Sequence, residues 1–247
     1  METPNISMKA HTLRLRDTFA LAFLTVTCLS ITCRADTIKL GATSTGNYNN
    51  VGNGGSGPSY IAGRVTPPGD SVFRDFFVFD LTGVNDQISA ATLRLSNPSG
   101  GYSSVDPTET FTLFDVTTPI NTLLNAGHFL QATVFDDLGT GTSYGSVVMS
   151  PADNGNIVTI TFNAAGLTAL NGARGGQFAV GGSVTTLSGR TDNEFVFGFT
   201  GSTSNLTQQL VLTTVAAPEP GTVLTCSLGV LLAYAGRRRL TKHRLMP

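Results

Sequence analysis

Short stretches in which apolar and polar residues alternate run through the middle of the chain, and segments rich in Gly, Asn and Ser separate them. Residues 72–81 (VFRDFFVFDL) are apolar at both odd and even positions, which is typical of a strand buried on both faces near the centre of a sheet. Residues 91–96 alternate, so Leu93 and Leu95 are predicted to face the core. By the same patterns we expect further strands at 37–41, 110–116, 133–138, 144–149, 157–162, 177–181, 194–199 and 209–213.

Helical signals in this middle part are few and short. Asn163 is a predicted N-cap for a helix over 164–170 that ends at Gly172. Residues 119–127 are expected to form a short helix or a loop, and residues 41–58 a loop with many turn-forming residues. About ten short strands without a long helical period predict an all-β domain, an antiparallel β-sandwich with a jelly-roll-like topology.

The N-terminal segment has the pattern of a signal peptide. Basic residues precede an apolar run of 13 residues at 19–31, which is within the length expected for a signal helix. The small residue Ala35 precedes Asp36, and we predict cleavage between them. Residues 1–35 are therefore predicted to be a signal peptide, and both Met1 and Met8 fit as its start.

The C-terminal segment joins three features in a fixed order: a Pro-Glu-Pro triplet, an apolar run of 15 residues at 222–236, and three arginines. As a helix the run spans about 22 Å, short of the roughly 30 Å hydrocarbon core. Arginines directly after an apolar run favour the cytoplasmic side of a membrane, so we predict a C-terminal transmembrane helix. The residues that carry the pattern are Pro218, Glu219, Pro220, Arg237, Arg238 and Arg239.

This three-part tail resembles the PEP-CTERM sorting signal of exopolysaccharide-producing Gram-negative bacteria. The resemblance implies export by the secretion machinery, transient anchoring in the inner membrane, and cleavage near the triplet by an exosortase-type transpeptidase. It further implies a final location at the cell surface or outside the cell, with extracellular polysaccharide as a candidate partner. The expected organisation is a signal peptide at 1–35, an exported β-sandwich at 36–215 and a sorting signal at 216–247.

Charge and cysteine content differ between the predicted domain and its two ends. The domain has thirteen acidic and six basic residues, a net charge of about −7, which excludes nucleic acid as a favoured partner because phosphates would be repelled. All three cysteines lie in the ends, at Cys28, Cys33 and Cys226. The domain therefore forms no disulfide and depends on its core, or on a metal ion, for stability.

No arrangement of catalytic residues stands out in the predicted domain. His128 is its only histidine, so neither a Ser-His-Asp triad nor a zinc site is favoured. We therefore predict a non-enzymatic structural or adhesive role. A glycan-binding module is the first alternative, and a polysaccharide hydrolase or lyase that uses two carboxylates is the second. The candidate carboxylates are Asp75, Asp80, Asp115, Asp136 and Asp137.

Two binding sites are proposed from the sequence. The first is a calcium site formed by carboxylates in oxygen-rich loops, with Asp136, Asp137 and Asp153 as its ligands. The second is a glycan site formed by exposed tyrosines in Gly- and Ser-rich loops. Its candidate residues are Tyr48, Tyr60, Tyr102 and Tyr144. No other cofactor is expected.

Two stretches of the predicted domain also resemble β-sandwiches of other exported bacterial proteins, including carbohydrate-binding-like modules. The stretches are 74–81, which ends in Phe-Asp-Leu, and 91–102, which begins Ala-Thr-Leu-Arg-Leu. This resemblance implies the fold rather than an activity.

Overall fold

The structure is a computed structural model, and it describes residues 35–66, 69–125, 132–189, 192–198 and 207–215. Residues Ala35–Val215 form one compact unit. The predicted signal helix, the Pro-Glu-Pro triplet, the C-terminal helix and His128 lie outside the described residues. Within those residues, no helix has the length and apolar character needed to cross a membrane.

The described part of the unit consists mainly of strands, with three short α-helices and one 3-10 turn at Pro151–Asp153. The strands are β1 (Ala35–Gly41), β2 (Ser44–Asn49), β3 (Gly54–Ser56), β4 (Ala62–Val65), β5 (Ser71–Asp80), β6 (Gln87–Ser96), β7 (Glu109–Asp115), β8 (Ser143–Met149), β9 (Ile157–Thr161), β10 (Gln177–Val184), β11 (Glu194–Val196) and β12 (Gln208–Val215). The helices are α1 (Ile120–Asn125), α2 (Ala132–Asp137) and α3 (Ala164–Gly172).

The strands form two antiparallel sheets. The smaller sheet has the order β1-β12-β6-β9, and the larger has the order β11-β4-β5-β10-β7-β8, with β2 also paired to β5 and β3 to β2. Eight strands pair as one long hairpin folded across both sheets: β1 with β12, β5 with β10, β6 with β9, and β7 with β8. The prediction of an all-β antiparallel sandwich is confirmed at this level.

Strand β5 is buried on both faces, as its sequence predicts. Phe77 and Phe79 belong to the main core between the sheets, which also contains Leu93 and Leu95 of β6. Phe76 lies on the opposite face of β5, in a second cluster. The predictions for β5 and β6 are therefore confirmed.

Helices α1 and α2 cover the outer face of the larger sheet. The second cluster combines Tyr48 and Phe76 from the sheet with Leu123 of α1 and Phe135 of α2. The Tyr48 hydroxyl donates a hydrogen bond to the Leu123 carbonyl at 2.8 Å. A few contacts of this kind hold two six-residue helices that are too short to be stable alone.

The prediction of a strand over 133–138 is wrong, because these residues lie largely in α2. Val134, Phe135 and Leu138 are all buried in the second cluster, and their spacing matches one face of a helix. A six-residue segment offers too few positions to separate this spacing from alternation. Phe135 is buried as expected.

The prediction of a loop over 41–58 is also wrong, because β2 and β3 form a hairpin there. Glycine permits the close approach of the two strands: a Cβ atom at Gly46 would overlap the Gly55 carbonyl oxygen and the Phe76 ring. The Gly and Asn content that predicts a loop here therefore serves backbone packing.

The strand predicted over 194–199 ends at Val196, because Phe197 has a φ of 60°, which no strand accommodates. The predicted cap is confirmed: Asn163 Oδ1 accepts a hydrogen bond from the Gly166 amide at 3.0 Å. Helix α3 continues through Gly172, and its C-cap is Ala173.

Asn97, buried directly after β6, joins three segments of the fold. Its Oδ1 accepts a hydrogen bond from the Phe197 amide at 3.1 Å. Its Nδ2 donates to the Asp153 carbonyl at 3.1 Å and to Asn154 Oδ1 at 3.2 Å. The Asn154 side chain in turn accepts from the Tyr102 amide at 2.7 Å.

Replacing Asn97 with Ala is expected to lower the free energy of unfolding by about 2–3 kcal/mol, because buried backbone groups lose their partners. Urea denaturation measures the loss. Asn156→Ala is the control, since this exposed side chain makes its shorter bond to the Ala152 carbonyl. Equal losses in both variants would contradict the assigned role of Asn97.

Candidate functional site

The four tyrosines proposed as a glycan platform are all buried, with relative exposures between 0 and 8 %. The hydroxyls of Tyr60 and Tyr102 donate to the carbonyls of Ser96 and Asp106, each at 2.7 Å. The Tyr144 ring stacks on Phe178 at 6.2 Å between centroids. A sugar cannot stack on rings that lie in the core, so the proposal of a tyrosine platform is wrong for this structure.

The three aspartates proposed as calcium ligands have separate partners. Asp137 accepts hydrogen bonds from the amides and hydroxyls of Thr117 and Thr118, at 2.6–3.0 Å. Asp153 Oδ2 accepts from the Ser150 amide at 2.7 Å. In the described ranges no three Asp, Glu, His or Cys residues converge in a way that could hold a metal ion. The proposed ligand set is therefore not brought together, while calcium binding itself stays a prediction.

Asp136 and Asp137 are adjacent in α2 but differ in their surroundings. Asp136 is exposed, and its Oδ1 lies 4.0 Å from Arg74 Nη1. Arg74 Nη1 also donates to the Phe135 and Asp136 carbonyls at 2.9 and 3.0 Å, and its guanidinium lies 4.2 Å from the Phe135 ring centroid. Burial lowers the pKa of Arg74, and Asp136 opposes this change.

For Asp137, partial burial alone would raise the pKa of the carboxyl, but the hydrogen bonds from Thr117 and Thr118 more than offset this and lower it. The stability that Asp137 contributes is therefore present above the ordinary aspartate pKa and is lost as the pH falls through the lowered value. Asp137 thus holds the end of α2 against the segment that follows β7.

The sequence did not single out Asp75 as a buried group, although it has the same parity in β5 as Phe77 and Phe79. Its side chain is fully buried, and neither carboxyl oxygen accepts a hydrogen bond from another residue that the structure describes. A Cβ atom at Gly182, the residue paired with it in β10, would overlap Asp75 Oδ1 and the Phe111 ring. The alternation of side chains along β5 could have predicted its burial, because Asp75 lies two residues before Phe77 and so faces the same side of the sheet.

Burial raises the pKa of Asp75 well above its ordinary value. Burial raises the pKa of Tyr60 to about 12, a hydrogen bond with Gln208 opposes this change, and Asp75 makes the smallest contribution, in the upward direction. A carboxyl enclosed in the core has no access to a substrate in this conformation. Its effect is therefore on stability.

Two further buried carboxylates, Glu109 and Glu194, are each hydrogen-bonded. Glu109 accepts from the Ser104 hydroxyl at 2.7 Å and from the Thr186 hydroxyl. Glu194 accepts from the Ser188 amide at 2.9 Å and from the Ser188 hydroxyl. Like Asp137, both carboxylates stabilise neighbouring loops by accepting hydrogen bonds from them.

The two other carboxylates considered for catalysis, Asp80 and Asp115, accept hydrogen bonds from backbone amides in neighbouring loops. Asp80 Oδ1 accepts from the Thr82 amide at 2.9 Å, and Asp115 Oδ1 accepts from the Thr142 amide at 2.6 Å. The interactions of Asp80 with Thr82 lower its pKa. The described bonds of both side chains thus connect a strand end to a neighbouring loop.

The predicted signal-cleavage residues, Ala35 and Asp36, are exposed at the start of β1. They pair with Val215 and Thr214 at the end of β12. The compact unit therefore begins and ends at one place, on adjacent antiparallel strands.

No protein-family model and no curated protein matches this chain. A solved structure of a marine algae virus of the order Picornavirales aligns with 12% identity over 89% of this chain and 91% of the viral chain, with a TM-score of 0.19. A similarity at this TM-score carries no argument about fold or function.

Asp137→Asn is expected to lower the free energy of unfolding by about 1–2 kcal/mol, because an amide cannot accept all four hydrogen bonds. Asp136→Asn is the matched control on the same helix, and its exposed ion pair is worth less than about 1 kcal/mol. Urea denaturation at neutral pH compares them. A loss in Asp136→Asn as large as that in Asp137→Asn would contradict the assignment.

Asp75→Asn is expected to change how stability depends on pH. Above the unfolded-state pKa the unfolded chain ionises while the buried carboxyl stays neutral, so wild-type stability falls as pH rises, by at most about 1.4 kcal/mol per unit. The asparagine variant should lack this component as the pH rises above the ordinary aspartate pKa. Ser183→Ala, on the neighbouring strand, keeps the carboxyl and should keep the wild-type slope. An unchanged slope in Asp75→Asn would refute the raised pKa.

Proposed function

We propose that this chain is an exported protein with a non-enzymatic, structural or adhesive role, sorted and processed through its C-terminal signal. One observation carries the proposal: the Pro-Glu-Pro triplet at 218–220, the apolar run at 222–236 and the arginines at 237–239 stand in the order of a PEP-CTERM signal. The N-terminal signal-peptide pattern is consistent with it. The exported unit would first be anchored in the inner membrane and then reach the cell surface or the medium.

We further infer that the exported unit has a jelly-roll topology. The support is the nested pairing of eight strands as a single folded hairpin, from β1 with β12 on the outside to β7 with β8 at its turn. Jelly rolls occur in capsid and lectin domains, so the topology is compatible with a structural or a binding role and does not decide between them.

The uses of the carboxylates favour a structural role over catalysis. Asp115, Asp137 and Glu109 accept hydrogen bonds that hold neighbouring segments, and Asp75 is enclosed in the core. A hydrolase would need two carboxyls facing a substrate from either side. The core and these bonds also suit an exported domain that has no cysteine.

The adjacent ends of the compact unit suit removal of both sorting segments. Ala35 and Val215 pair on neighbouring strands, and no core residue lies beyond either of them in the described unit. Cleavage after Ala35 and near 218–220 would remove only Ala35, the first residue of β1, from the described strands.

Mass spectrometry of the protein recovered from the cell surface and medium tests the proposal. We expect a mature form that begins near Asp36 and ends close to 218–220. Changing Pro218, Glu219 and Pro220 to Ala should leave the C-terminus uncleaved and the protein membrane-bound. Changing Ala216 and Ala217 to Ser, just before the triplet, is the control and should be processed normally. A wild-type protein that keeps its C-terminus through Pro247 would overturn the proposal.

A further inference from the structure

The outer face of the smaller sheet differs in chemistry from the rest of the unit. Along β12, β6 and β9, buried residues alternate for most of each strand with residues that are exposed or half-buried. Along β1, the half-buried Ile38 and Leu40 alternate with exposed residues. The outward residues include five threonines, and we call this surface the hydroxyl face. Its threonines are Thr37, Thr92, Thr159, Thr161 and Thr213.

The five threonines make no hydrogen bond through their hydroxyls to any residue that the structure describes. Elsewhere in the unit, the hydroxyls of Thr117 and Thr118 are bound to Asp137, and that of Thr45 is bound to the Gly57 carbonyl. The hydroxyl face therefore presents donors and acceptors that the fold itself does not use. Neighbouring strands place them in rows about 4.7–4.9 Å apart.

Two cations lie on the same face without a carboxylate partner. Lys39 of β1 makes no ion pair or hydrogen bond through its ammonium in the described part of the chain, and Arg94 of β6 contacts only the Gln209 amide oxygen, at 3.4 Å. Strand β12 separates their strands, so their backbones are about two strand spacings apart across the sheet.

The charge on this face is opposite to the charge of the unit. None of the residues that share the outward parity of Thr37, Thr92, Thr159 and Thr213 in these four strands is acidic, although the predicted domain has thirteen acidic and six basic residues. Asp36, the acidic residue nearest to Lys39 in sequence, has the opposite parity in β1. Two of the other cations, Arg64 and Arg74, are paired with carboxylates, at 3.0 and 4.0 Å.

From this arrangement we propose that the hydroxyl face binds an acidic polysaccharide, with Lys39 and Arg94 contacting its carboxylates and the threonine hydroxyls its sugar hydroxyls. The inference rests on the proposed function, because only an exported unit would meet such a polymer outside the cell. The proposed ligand would lie on the outer face of the smaller sheet, away from the buried tyrosines.

The composition of the face favours a polysaccharide over other polyanions. It contains no aromatic ring, and its larger aliphatic side chains are Ile157, which is exposed, and the half-buried Val211 and Val215. It therefore lacks the continuous apolar face of a membrane-binding surface. Nucleic acid presents about one charge per 1.7 Å of duplex, which an acidic unit with two free cations would repel. A hydroxyl-rich polymer with spaced carboxylates matches both the charges and the unused hydrogen-bonding groups.

Chemical footprinting of Lys39 tests the proposal on the full chain. The sequence has three lysines, Lys9, Lys39 and Lys242, so peptide mass spectrometry reads Lys39 separately from the basic ends. Saturating polygalacturonate should slow acetylation of Lys39 at least about fivefold, since an ammonium in a charge-assisted hydrogen bond is shielded from the reagent. Dextran, which is uncharged, should give no protection, and protection should weaken as salt is raised.

Variants that retain Lys39 test the rest of the face. Arg94→Gln should raise the polygalacturonate concentration needed for half-protection about tenfold, through loss of one charged contact. The double variant Thr159→Val, Thr161→Val should raise it about threefold to tenfold through loss of two neutral hydrogen bonds. Arg174→Gln removes a cation elsewhere and should leave it unchanged, with thermal unfolding confirming that each variant is folded.

Two results would overturn the proposal. One is an unprotected Lys39 at saturating polygalacturonate. The other is equal protection by duplex DNA or by phosphatidylglycerol vesicles, which would make the face a general polyanion surface. Because the assay uses the uncleaved chain, its failure is distinguishable from a failure of tail processing, which is read separately from the mature mass.

Discussion

Strand β5 is the constraint on which the rest of the unit depends. It lies inside the larger sheet, pairs with β2 on one side and with β10 and, near its start, β4 on the other, and supplies phenylalanines to both clusters of the core. Burying a phenylalanine side chain is worth roughly 1.5–3 kcal/mol, so this one strand anchors the packing of the smaller sheet on one face and of α1 and α2 on the other. In a unit without cysteine, no covalent cross-link could replace it.

A strand buried on both faces has no polar side, which explains why the carboxyl of Asp75 is exceptional. It occupies a position that hydrophobic residues fill elsewhere in β5, and among the described residues no other side chain is bonded to it to offset its desolvation. The other buried carboxylates, Glu109 and Glu194, have hydroxyl and amide donors from nearby loops. Asp75 therefore opposes folding at neutral pH where Glu109 and Glu194 support it.

The parts of the fold that the sequence predicted well are those in which a single physical requirement acts. Alternation placed Leu93 and Leu95 in the core, and the hydrogen-bonding capacity of Asn163 marked the start of α3. Prediction failed where two requirements compete. Helix α2 has only six residues, too few to tell a helical spacing of apolar residues from the alternation of a strand. In β2 and β3, glycine was needed for close backbone packing rather than for a turn.

The candidate site also shows that prediction fails where one side chain can meet two requirements. A tyrosine in a Gly-rich segment has both an apolar ring and a hydroxyl, and the fold used both internally, since Tyr48, Tyr60 and Tyr102 donate to backbone carbonyls from within the core. Residue type alone does not tell whether a side chain bonds to its own protein. The outward threonines were readable from alternation at 157–162, but only the structure shows that their hydroxyls have no partner.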